Sequence, residues 1–217
     1  MRIVRSPDPG PLNHYRAYKP HLQTLFRCRC AYCLSHEQKM GQFAAMEVDH
    51  FKPKGRPEFA HLEHEWTNLY YCCRICNQHK SNRWPTDQQM REGLRFVDPC
   101  EEDPDEHFRL CLHPRHDELC WLTPLTPAAR YTIEKIRLNR DQLIQIRRSL
   151  AAEEREEQDR LLEITRLIEC LDADVRDRDS SSQTDEMMCV LDALRQQSAS
   201  CLDEIRSLRP FPVSVGA

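Results

Sequence analysis

The chain has 217 residues, 30% charged and 7% aromatic, with a net charge of −4. That composition leaves room for one large domain or two small ones and excludes a disordered chain. No stretch reaches the ~20 apolar residues of a membrane span, and Met1-Arg2-Ile3-Val4-Arg5 opens without the apolar run of a secretory signal. Twelve cysteines in such a chain point to a reducing, cytoplasmic setting, where metal binding is favoured over disulfides. Lys and Arg outnumber Asp and Glu by 13 to 8 in residues 1–90 and are outnumbered 18 to 27 beyond. A local basic field of this kind suits a polyanion.

In chain order, residues 14–27 read as a helix with Leu22, Leu25 and Phe26 on one side. Residues 43–50 read as a strand ended by Lys52-Pro53. Lys54 to Glu65 reads as a polar loop, Asn68 to Cys72 as a second strand, and Arg74 to about Asn82 as a short helix stopped near Pro85. Residues 84–124, interrupted by five prolines, read as irregular. From Pro127 apolar residues recur at helical spacing and predict a long helix, broken near 151–157. Ser180 to Thr184 reads as a linker, and a last helix runs on to Pro210. The expected fold is α+β, with residues 1–124 carrying the mixed part and 125–217 forming a helical hairpin.

Two C-x2-C pairs, Cys30/Cys33 and Cys73/Cys76, are what a closed tetrahedral Zn²⁺ site needs. Cys28 and Cys72 compete, with poorer bites. Four thiolates leave no open position, so this zinc is expected to be structural. Between the pairs lies Glu47-Val48-Asp49-His50. A carboxylate suits a hard divalent cation, and a neutral imidazole suits a general base near pH 7. Neighbours in a regular strand point to opposite faces, so a shared site requires the strand to end here. The amide oxygen of Asn77, directly after Cys76, is a hard ligand that favours Mg²⁺ or Mn²⁺; its simpler role is a helix cap. Asn68 is expected to tie down the loop that bears His50. Lys52, Lys54, Arg56, Lys80 and Arg83 flank the site and are expected to hold backbone phosphates. Trp66, Tyr70 and Tyr71 read as core, and Arg137, Arg140, Arg147 and Arg148 as a solvated helix face.

The order Cys-x2-Cys, Glu-Val-Asp-His, Asn-Leu, Cys-x2-Cys-Asn-x2-Lys over residues 30–83 resembles the HNH endonuclease family. The resemblance implies a ββα-metal fold that cuts phosphodiesters, DNA above all, with one divalent ion. It assigns His50 as general base, Asp49 and Asn77 as ligands of that ion, Asn68 as the residue orienting the base, and the four cysteines as zinc knuckles. Asn77 departs from the final His of the name-giving motif. Asp49 to Lys54, Glu65 to Leu69, Phe96 to Pro99 and Leu138 to Arg140 are further similar to the HNH subunits of retron- and Septu-type anti-phage systems. That similarity implies a bacterial effector working with an ABC/SMC-like ATPase. The alternative is a non-catalytic zinc-knuckle module that binds nucleic acid or serves assembly; it would need none of Asp49, His50 and Asn77.

Overall fold

The computed structural model describes residues 2–111, 120–177 and 182–208. At its centre, β1 (Met46–His50) pairs antiparallel with β2 (Leu69–Cys73), and α2 (Arg74–Lys80) follows β2 without a loop. The register sets Asp49 opposite Tyr70 and His50 opposite Leu69. All five residues of β2 are buried, so the strand reads as a continuous apolar run with no alternation. Cys73 ends β2 and caps α2, its sulfur accepting from the Cys76 amide at 3.4 Å. The carbonyl of Tyr71 accepts from the Ala31 amide at 2.7 Å, which hangs the first cysteine pair on the sheet.

The N-terminal helix is shorter than the sequence predicts. A 3-10 turn (Tyr15–Tyr18) leads into α1 (Lys19–Leu25), with Pro20 in its first turn. Leu22 and Phe26 are buried, and the Phe26 ring lies 5.5 Å from that of Tyr70. Arg27 and Cys28 adopt positive φ, which turns the chain out of the helix. Likewise β1 starts at Met46, because residues 43–45 form a 3-10 turn.

The region 84–124 is not irregular throughout. It holds α3 (Asp87–Arg91), closed by a Thr86/Gln89 capping box, and α4 (Pro104–His107). A second antiparallel pair follows, β3 (Phe108–Cys111) with β4 (Trp121–Pro124). Then α5 (Pro127–Ile136) starts at Thr126, whose side chain accepts from Ala129 N. Arg137, at φ 55°, ends it. The helix break therefore falls at 137–140, and α6 (Asp141–Asp177) runs unbroken through 151–157. Ser182 to Thr184 belong to α7 (Ser182–Ser207) and not to a linker; Ser180, Ser181 and Pro210 lie outside the described residues.

The described residues fall into two compact units, residues 2–147 and residues 148–208. Segment 125–147, grouped with the helical region from sequence, thus belongs to the first unit. Within the second unit α6 and α7 bury Leu150, Ile164, Ile168 and Leu202, and Arg206 Nε donates to Glu154 Oε1 at 3.3 Å. Among the described residues no helix is long and apolar enough to cross a membrane.

Candidate active site and metal centre

Cys30, Cys33, Cys73 and Cys76 are all buried, and their sulfurs lie within 4.8 Å of one another. A tetrahedral ion with ~2.3 Å zinc–sulfur bonds needs sulfurs ~3.8 Å apart, so the cluster fits Zn²⁺ in donor type and in size. Cys28 and Cys72 stay outside it; Cys72 faces the carbonyl of Glu47 instead. One ion here would join the turn after α1 to the β2–α2 corner.

β1 presents two different chemistries. Glu47 and Asp49, two residues apart, share one face and meet α2. Asn77 Nδ2 donates to Glu47 Oε2 at 2.7 Å. Lys80 Nζ lies 2.9 Å from Asp49 Oδ2 and donates to the His50 carbonyl at 2.6 Å. The Tyr32 hydroxyl donates to the same Asp49 oxygen, and burial holds that hydroxyl's pKa well above the usual phenol value. Asp49 and Asn77, the two expected cation ligands, therefore have different partners in this arrangement. Their donor types, a carboxylate and an amide with the Glu47 carboxylate alongside, fit a hard divalent ion.

Lys80 corrects a sequence expectation. It is fully buried, with a relative exposure of 0%, and cannot hold a backbone phosphate. It bridges α2 to the end of β1. Breaking a buried ion pair leaves the other charge without compensation, so Lys80→Ala is expected to cost about 3–5 kcal/mol. Urea unfolding of the zinc-loaded protein measures this, and a loss under about 1 kcal/mol would refute the role. The sequence held a usable signal: Asn77 and Lys80 are three apart on a helix, hence on one face.

His50 faces the other way. Its Nε2 lies 2.9 Å from the carbonyl of Glu63. A carbonyl only accepts, so the neutral ring carries its proton on Nε2 and offers the Nδ1 lone pair as base. Burial lowers the His50 pKa below the ordinary imidazole value, and nearby Lys54 adds to this; the Glu63 carbonyl and the Asp49 charge oppose it. His50 as a whole residue is 6% exposed. Tyr15 covers it edge-on at 4.7 Å, and Lys54, which is ion-paired with Glu63, lies over the Tyr15 ring at 4.1 Å.

Asn68 clamps the chain just beyond. Its Oδ1 accepts from Lys52 N at 2.8 Å, and its Nδ2 donates to Lys52 O at 3.0 Å and to Leu62 O at 3.3 Å. The other cations differ in freedom. Lys52 is exposed. Arg56 donates to the carbonyls of Asn82 and Trp84, and Arg83 to those of His79 and Lys135. Trp66, Tyr70 and Tyr71 are buried core. Glu47 was missed as a site residue, though its position two before Asp49 places it on the same strand face.

Residues 30–83 match the HNH endonuclease family, the stretch that holds both cysteine pairs, β1, β2 and α2. Septu protein PtuA of Bacillus mycoides strain KBAB4 is 23% identical over 154 residues, covering 61% of this chain and 20% of that protein. The chain thus spans about a fifth of the length of this curated relative. No solved structure matches the chain. Residues 30–83 form a domain of the HNH endonuclease family, with a four-cysteine cluster able to hold zinc.

Proposed function

We propose that the chain is a metal-dependent endonuclease that hydrolyses DNA phosphodiesters, with His50 as general base. One observation carries this function: the His50 imidazole is fixed through Nε2 by a backbone carbonyl, which leaves Nδ1 as its basic atom. Nδ1 takes a proton from water as the water attacks phosphorus in line. Asp49 and Asn77 would hold Mg²⁺ or Mn²⁺, which when bound supplies charge stabilisation for the pentavalent phosphate and the leaving oxygen. Asn68 keeps the Lys52 backbone, and so the end of β1, in place. Lys52, Lys54, Arg56 and Arg83 contact flanking phosphates. Tyr15 swings off the imidazole when the strand enters. The zinc held by the four cysteines is structural.

Plasmid cutting with Mg²⁺, Mn²⁺ or chelator, on wild type and His50→Ala, tests the assignment; equal cutting by both proteins would refute it. The pH profile gives a second check. Because burial lowers the His50 pKa, the base is neutral at pH 7 and the acid limb of the rate should lie below pH ~6.5, the ordinary imidazole value. The same sign makes stability fall as pH drops below ~6.5, since the unfolded chain takes up that proton first. An acid limb above pH 7 would exclude His50.

The likeness to a Septu protein of Bacillus mycoides supports a role in a bacterial defence complex; an ATPase partner and a cytoplasmic setting are further parts of this reading. Cutting that appears only on addition of the ATPase would support that part.

A further inference from the structure

Arg140 and Arg147, read from sequence as part of a solvated helix face, are inside the first unit. Arg140 follows the turn between α5 and α6 and points at the cysteine cluster. Its Nη2 donates to Cys76 Sγ at 3.4 Å and to Cys73 Sγ at 3.8 Å, and its Nη1 to Cys76 Sγ at 3.5 Å. Nη1 also reaches the carbonyls of Ile136 and Arg137. Arg147 is 2% exposed. Its acceptors are all neutral: the carbonyls of Cys120 and Leu138 and the side-chain oxygen of Asn139. Among the described residues neither guanidinium has a carboxylate within ion-pair distance, and each has a buried Nε without a hydrogen-bond partner.

A buried guanidinium, Arg147, and a half-buried one, Arg140, both without carboxylates, are costly unless an anion lies close by. Four thiols would give little relief. Four thiolates around one Zn²⁺ carry a net charge of about −2, which the Arg140 guanidinium, in contact with two of the sulfurs, offsets in part. The forked geometry matters too, because one planar guanidinium meets two sulfurs at once.

We propose that Arg140 is the counter-ion and clamp of the zinc–thiolate cluster: it touches the sulfurs of Cys73 and Cys76, not the metal, and slows metal loss. The turn after α5 is thereby part of the metal centre although it contributes no ligand. The nuclease assignment plays no part in this inference, and zinc retention is read without any cutting assay.

The test uses the full chain, reduced and zinc-loaded, in competition with a chelating dye whose absorbance reports free zinc. Groups that contact metal ligands without binding the metal typically govern affinity by 10–100-fold. Arg140→Gln should therefore hold zinc about 10–100-fold more weakly and release it faster. Arg140→Lys should fall between it and wild type, because an ammonium keeps the charge but cannot fork. Arg130→Gln, on an exposed position of α5, should match wild type. Retention by Arg140→Gln within about twofold of wild type would overturn the proposal, as would an equal loss in Arg130→Gln. Should Arg140→Gln fail to fold, Arg140→Lys decides: severalfold weaker zinc supports the clamp, and wild-type affinity refutes it.

Discussion

Replacing His50 by Ala should lower metal-dependent plasmid cutting by about 10²–10⁴-fold, the usual contribution of one positioned acid–base group. Zinc content and a cooperative thermal transition should persist. The cysteine sulfurs and the Asp49–Lys80 ion pair do not involve the imidazole side chain. Lys80 meets His50 through its backbone carbonyl, which alanine retains. Asn68 likewise grips the backbone at Lys52. What alanine removes is Nδ1, the one basic atom that the Glu63 contact leaves available. Residual cutting above about a tenth of wild type would move the base to another group.

Stripping the zinc, or replacing Cys76 by Ser, should have the larger effect on folding. Structural zinc contributes about 10–16 kcal/mol in small zinc-binding peptides, as much as or more than the ~5–15 kcal/mol net stability of a typical domain. Here the ligands come from two places far apart in sequence, the turn at 30–33 and the β2–α2 corner, and both ends are buried. Without the ion, four buried thiols and the Arg140 charge share one small volume. Chelation under reducing conditions should abolish the cooperative melt of the first unit seen by circular dichroism, and added Zn²⁺ should restore it. An unchanged melt after complete zinc removal would show that the core of β1, β2 and α2 stands by itself.

The parts of this architecture that depend on short-range chemistry were legible in the sequence. A C-x2-C spacing fixes a sulfur bite within one turn, so all four members of the cluster could be named. Short runs bounded by turn and proline signals found β1, β2 and α2 to within a few residues. The rest is set by long-range packing. The β3–β4 pair is four residues per strand, and its clear alternation at Phe108, Arg109 and Leu110 lies among prolines. The helix break at Arg137 uses a left-handed arginine, where glycine would have signalled it. Lys80, Arg140 and Arg147 look like surface cations because charge favours water; only the fold shows the carboxylate, carbonyls and sulfurs that receive them. Asp49 and Asn77 were expected to share one cation; their partners here, Lys80 and Glu47, depend on side-chain rotation that spacing does not encode.

Asn68 has a consequence for variation. One side chain fastens residue 52 by both backbone groups and residue 62 by its carbonyl, so the segment between them is a closed loop with a clasp at its base. Lengthening such a loop costs little, roughly 0.6 kcal/mol per doubling, and the clasp absorbs the change before it reaches the imidazole. Residues 53–61 should therefore tolerate changes in length and charge while the His50 ring stays where it is.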